Sequence, residues 1–129
     1  MDLTEKQTAL EQCLDEFLCS KGVKPELLKL AKRHNALPVY ADMGGTLFLT
    51  KQFEVLVHSE CETESLVEES DPQWQLIAKL SAAEKYPALA FLRPERPEGA
   101  STCPECQGSG RLLGFRCGEC SGLGWRHAL

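Results

Sequence analysis

Eight residues near the C-terminal end of this chain are written twice. Cys103-Pro104-Glu105-Cys106-Gln107-Gly108-Ser109-Gly110 is followed by Cys117-Gly118-Glu119-Cys120-Ser121-Gly122-Leu123-Gly124, a Cys-x-x-Cys-x-Gly-x-Gly phrase in both places, with ten residues between Cys106 and Cys117. Two thiolates two residues apart can aim at one centre about 2.3 Å from each sulfur, and a second pair completes a tetrahedron. A backbone that wraps such a centre and turns its amides toward sulfur needs positive φ angles, which glycine adopts without steric cost. The spacing therefore predicts a closed, structural site for one Zn(II) held by Cys103, Cys106, Cys117 and Cys120. A thioredoxin-type redox centre has a single Cys-x-x-Cys at the start of a helix, and cluster-binding proteins run their cysteines differently. Matched pairs with matched glycines favour a metal, and zinc among metals.

The metal also settles how the chain divides. With 129 residues it is long enough for one ordinary domain. The roughly thirty residues around the cysteines cannot build a core and depend on the metal to fold. We expect an α+β domain over 1–92, a proline-rich linker over 93–100 and a single-zinc module over 101–129.

Charge separates the same parts. The formal net charge is -5; residues 1–92 carry 9 basic and 15 acidic side chains, and residues 93–129 carry 5 and 4. Four thiolates around one Zn(II) add two more negative charges. Such a chain is not drawn to nucleic-acid phosphates or anionic lipid and suits a basic protein partner. The seven cysteines are odd in number, leaving Cys13, Cys19 and Cys61 outside the repeat. Free thiols beside a thiolate metal site indicate a reducing compartment. No segment has the length of a membrane span, and the opening Met-Asp-Leu-Thr-Glu has neither the basic nor the apolar part of a signal peptide. The cytoplasm is the expected location.

In chain order, Leu10, Leu14, Phe17 and Leu18 recur at helical spacing, which predicts a helix from Thr4 to about Ser20. Thr4 and Gln7 form its expected capping box, and Gly22 is placed to end it. Pro25 suits the first turn of a second helix, with Leu27, Leu30, Ala31 and His34 on one face and Asn35 as its stop. His34 is read as a helix C-terminal residue rather than a ligand. Leu37–Ala41, Thr46–Thr50 and Phe53–His58 then read as the strands of a small antiparallel meander, with a turn at Asp42–Gly45. Residues 60–71 hold Glu60, Glu62, Glu64, Glu68, Glu69 and Asp71 with no cation, a solvated loop or a docking surface for a basic partner. Asp71-Pro72 opens a further helix whose core face includes Trp74, Ile77 and Ala78, with Leu76 and Leu80 widening it, and Pro87–Leu92 adds a turn or two.

Enzyme chemistry finds little support. His34, His58 and His127 fall in no defensible nucleophile–base arrangement, and His58 with Cys61 is read as a chance neighbour at a strand end. His127 could replace a ligand, but four cysteines already fill the tetrahedron. Phe115 and Trp125 are expected to pin the zinc module to the helical domain rather than to stack on bases.

On these residues two resemblances stand out. Cys103–Gly124 resembles the cysteine-rich region of the DnaJ chaperones, whose signature is the same Cys-x-x-Cys-x-Gly-x-Gly. That family carries four repeats for two zincs; this chain has two repeats, enough for one, and contains no His-Pro-Asp of a J-domain. The resemblance implies zinc ligation by the four cysteines and not co-chaperone activity. Val39–Leu49, Glu54-Val55-Leu56, the Trp-bearing helix and Tyr86-Pro87-Ala88-Leu89 are similar to the SUKH (Smi/Knr-like) superfamily of small α+β proteins. Many bacterial members are immunity proteins that neutralise a toxin, often a nuclease. That likeness implies a non-catalytic interaction protein of the immunity type, bound to a basic toxin. A chaperone-like or adaptor zinc-finger protein and a thiol–disulfide oxidoreductase are the alternatives.

Overall fold

The computed structural model describes residues 2–42, 45–59 and 66–126. They form an α+β fold, as expected, in two compact units, Met1–Leu92 and Arg93–Leu129.

The first unit begins with helix α1, Leu3–Leu18. Asp2 caps it, its carboxylate accepting from the Glu5 amide at 2.8 Å. This corrects the capping box expected at Thr4 and Gln7: Asp2 lies two residues upstream and is as good an acceptor. The helix also stops at Cys19, short of Gly22, which turns at φ 82° in the following loop. Helix α2, Pro25–His34, starts on its proline and ends where Asn35 enters the left-handed region at φ 51°. Asn tolerates that conformation because its short polar side chain bonds locally.

Strands β1 (Ala36–Asp42), β2 (Gly45–Thr50), β3 (Val55–Ser59) and β4 (Val67–Glu68) make one sheet in the order β1-β2-β3-β4. Every neighbouring pair is antiparallel, so the meander is as read, with the short β4 added beside β3. A bulge between Pro38 and Tyr40 shifts the register so that Tyr40, Leu47, Val57 and Val67 face one another across the four strands. The sequence pattern puts Phe53 inside β3; instead it closes the β2–β3 turn at φ 64°, its amide donating to the Thr50 carbonyl at 2.8 Å. A residue at positive φ usually ends such three-residue hairpins. Here a phenylalanine takes that position, its ring edge-on to Phe91 at 5.8 Å between centroids.

Helix α3, Pro72–Lys85, has Asp71 as its cap, accepting from the Gln73 amide at 2.9 Å. A 3-10 segment follows, Pro87–Leu92. All three α-helices lie against β1, the strand at one border of the sheet. Leu10, Leu14 and Phe17 of α1, Leu30 and Ala31 of α2, and Ile77, Ala78 and Ala82 of α3 close over Leu37, Phe48, Leu49 and Val55 of the sheet. Phe48 is the largest side chain fully removed from water. Trp74 is not part of this core. It remains 36% exposed on the first turn of α3, against Tyr40. No described helix is long and apolar enough to cross a membrane.

The second unit pairs β5 (Ser101–Thr102) with β8 (Trp125–Arg126), and β6 (Arg111–Leu112) with β7 (Phe115–Arg116). The proline-rich stretch groups with this unit, where the Arg93 guanidinium donates to the Leu123 carbonyl at 3.4 Å.

Candidate metal centre

Each half of the second unit follows one plan: a two-residue strand, a cysteine, a tight turn back to the second cysteine, two glycine-bearing turns and a second short strand. The repeat is fourteen residues, so Cys103 corresponds to Cys117 and Cys106 to Cys120. Gln107 and Gly108 have φ angles of 53° and 87°, and their counterparts Ser121 and Gly122 have 55° and 87°. Two successive left-handed residues reverse the chain so that the amide two residues past the second of them faces the sulfur just passed. Gly110 donates to Cys106 Sγ at 3.3 Å and Gly124 donates to Cys120 Sγ at 3.2 Å. The halves then lock together through their backbones: the Cys117 amide donates to the Gly110 carbonyl at 2.9 Å, and the Cys103 amide to the Gly124 carbonyl at 3.0 Å.

All four cysteines are buried, and their sulfurs lie within 4.8 Å of one another. Cys103 Sγ and Cys117 Sγ are 3.9 Å apart, and Cys106 Sγ and Cys120 Sγ 3.6 Å. A regular tetrahedron with metal–sulfur bonds of about 2.3 Å has sulfur–sulfur edges of about 3.8 Å. The donor set therefore fits one structural metal such as zinc. The two amide–sulfur bonds orient Cys106 and Cys120 and draw charge from them, the usual work of groups behind a metal's ligands.

Cys103, Cys106 and Cys120 hold their protons unequally. The Cys106 amide draws the Cys103 thiol below its ordinary range, against the upward push of burial. Burial also pushes Cys106 up, but the Gly110 amide, the Cys120 thiol, the Gly108 amide and the Cys103 thiol outweigh it and bring Cys106 down to about 6. Cys120 is pushed up to about 11 by burial, together with its neighbours Cys106 and Cys117. A dication supplies the field that removes the last proton, so metal binding and proton release go together.

The other histidines and cysteines fall in the first unit or outside the described residues. His34 ends α2, with its Nε2 buried and without a hydrogen-bond partner, and His58 lies in β3. Cys61, His127 and residues 60–65 of the acidic run lie outside the described residues. Cys13 is buried in α1 and Cys19 is exposed. Trp125 is buried at 8% exposure, and Phe115 is 76% exposed. It belongs to the hairpin Arg111–Arg116, whose tip residue Leu113 is 97% exposed. A run of apolar letters between two arginines gives no sign, in sequence, of whether it faces inward or outward.

Comparisons with protein-family models, with curated proteins and with solved structures returned no match for this chain.

Proposed function

We propose that this chain is a non-catalytic zinc protein whose Met1–Leu92 unit binds a basic protein, as an immunity protein of the SUKH type binds and neutralises a toxin. The observation that carries the non-catalytic part is the closed donor set: four buried cysteines leave no ligand position for water or substrate, the property that separates structural from catalytic zinc. The zinc holds the C-terminal unit in shape, and binding is the work of the other unit. Charge supports the choice of partner, because 15 acidic against 9 basic side chains over residues 1–92 steer cationic proteins inward. The test is direct. The purified chain is titrated by calorimetry against basic proteins encoded beside it, and co-expressed with each to measure rescue of growth. Tight binding with rescue is the expected result; no binding and no rescue by any of them removes the immunity reading.

A second reading has one observation in its favour. The hairpin tip at Leu113 and Phe115 presents apolar side chains to water, as an adaptor or chaperone-like module would toward a protein client. Suppression of aggregation of an unfolded test protein, lost in Leu113→Asn, would favour it over the first.

A further inference from the structure

A cavity of about 230 Å³ lies on the face of the sheet where Tyr40, Leu47 and Val57 stand in one row. Leu47 and Val57 form its apolar floor. Tyr40 and Trp74 form adjoining walls, their ring centroids 6.2 Å apart and their planes inclined at 47°. Among the described residues, the charged ones lining it are both acidic, Asp42 and Glu69. From this arrangement we propose that the cavity is a receptor for the cationic end of a lysine or arginine side chain presented by a basic protein. The proposal rests on the basic-partner reading above and gives it a specific site.

Three features of the cavity carry the argument. Aromatic faces attract cations through the negative centre of the ring, most strongly for tryptophan, and two rings at an angle attract the same cation together. The carboxylates are held in place rather than loose. Asp42 Oδ1 accepts from the Gly45 amide at 3.2 Å, and Glu69 Oε1 accepts from the Asp71 amide at 3.0 Å. An ionised carboxylate has about four acceptor positions, so Glu69 retains capacity for a further donor. The segment carrying Glu69 is itself tied down: its amide donates to the Val55 carbonyl at 2.9 Å, and its carbonyl accepts from the Gln75 side chain at 2.8 Å. Size is the third feature. The space takes a guanidinium, or an ammonium with its last methylenes, and falls short of the volume usual for drug-sized ligands.

Position and charge bear on the alternatives. The positive end of α3 points toward this region and alone would repel a cation, but Asp71 caps it. A larger groove of about 410 Å³ runs beside β1, between Phe17, Leu27 and Tyr40, but Glu84 and Lys85 together give it no preference for either sign. The aromatic pair also accounts for the position of Trp74. At its place in α3 the helical pattern assigns it to the core, yet it remains at the surface with its ring against Tyr40.

The test uses the full zinc-loaded chain and three peptides: tri-arginine, tri-lysine and neutral triglycine. The indole N–H resonance of Trp74 reports on the cavity, and that of buried Trp125 serves as the internal reference. Saturable movement of Trp74 with the cationic peptides, and not with triglycine, is the expected result; the two cationic arms show which head group is preferred. Glu69→Gln and Tyr40→Leu should each weaken the response about tenfold while the rest of the spectrum stays native. A Trp74 resonance that neither cationic peptide moves, or that moves equally in Glu69→Gln, overturns the proposal. The two levels fail separately. A basic protein that binds without moving Trp74 refutes this site and leaves the function standing, whereas a Trp74 response without any basic protein partner does the reverse.

Discussion

The backbones of Gly110 and Gly122 pass so closely that a β-carbon on Gly110 would stand 2.5 Å from the Gly122 carbonyl oxygen. Its twin contact, Gly124 against the Gly108 carbonyl, has the same 2.5 Å separation. Both crossing glycines, Gly110 and Gly124, also have positive φ, and their amides hold the sulfurs of Cys106 and Cys120. Any side chain there would part the two halves and take the amide from its sulfur. Gly110→Ala and Gly124→Ala should therefore each release zinc to a chelator at least about tenfold faster than wild type, from the loss of a group behind the ligands. Gly118 follows Cys117 at ordinary backbone angles, and a β-carbon added to it would meet nothing within 4 Å, so Gly118→Ala should hold zinc as wild type does. Equal zinc loss from all three would show that the crossing is not what holds the site.

The hairpin tip makes the opposite prediction. Leu113 has φ 53° and Gly114 φ 85°, the angles of a two-residue turn in which asparagine followed by glycine is preferred. The leucine is 97% exposed, so it gains no packing in return for the unfavourable angle. Leu113→Asn should stabilise the second unit by about 1 kcal/mol. Slower zinc loss to a chelator would register the gain, and faster loss would mean that the leucine contributes contacts the exposure does not reveal.

What the sequence disclosed depended on whether the cause was local. The four-cysteine cluster was legible because the spacing Cys-x-x-Cys-x-Gly-x-Gly specifies a turn, and the turn alone points Cys106 Sγ at its glycine amide. The start of α3 was legible for the same reason, since Asp71 and Pro72 act within one turn. Trp74 misleads because helical spacing shows which residues share a face and not how far along the helix the core extends. The neighbour that holds it at the surface, Tyr40, is 34 residues away, and its orientation depends on a bulge that no spacing announces. Phe53 misleads in a related way: its positive φ is supported by Phe91, a tertiary contact, where a glycine would have marked the turn openly.

Alkaline pH should weaken the first unit before neutral or mildly acidic conditions do. Burial raises the Cys13 thiol above its ordinary 9.0, with the Glu16 carboxylate adding to it, and burial likewise raises Tyr86 above 10.0, followed by Cys13 and Glu16. Both groups are held protonated more firmly in the folded chain than in the unfolded one. Their contribution is fully present below the unfolded values and is lost as the pH rises through the folded ones. Urea unfolding followed by circular dichroism should show stability level between about pH 7 and 8 and falling past 9.0. Cys13→Ala should remove the earlier part of that fall, and Tyr86→Phe the later part. An unchanged slope in both variants would place the alkaline loss elsewhere.

Removing a zinc ligand should distinguish the two units. Among the described residues, the core that joins α1, α2, α3 and the four-stranded sheet is drawn from the first unit, and the four cysteines form a buried cluster of their own. Cys103→Ser or Cys120→Ser leaves three thiolates, and a site without its fourth sulfur loses most of the binding energy that folds so small a module. Metal analysis should fall from one zinc per chain to none, and the resonances of residues 101–126 should collapse toward unfolded positions. The melting transition of the first unit should move by less than about 2 °C, since even 1 kcal/mol displaces the midpoint of a domain of this size by several degrees. A larger shift would mean that the zinc stabilises the helices and sheet as well, and that Arg93 does not mark the boundary of a separately folding unit.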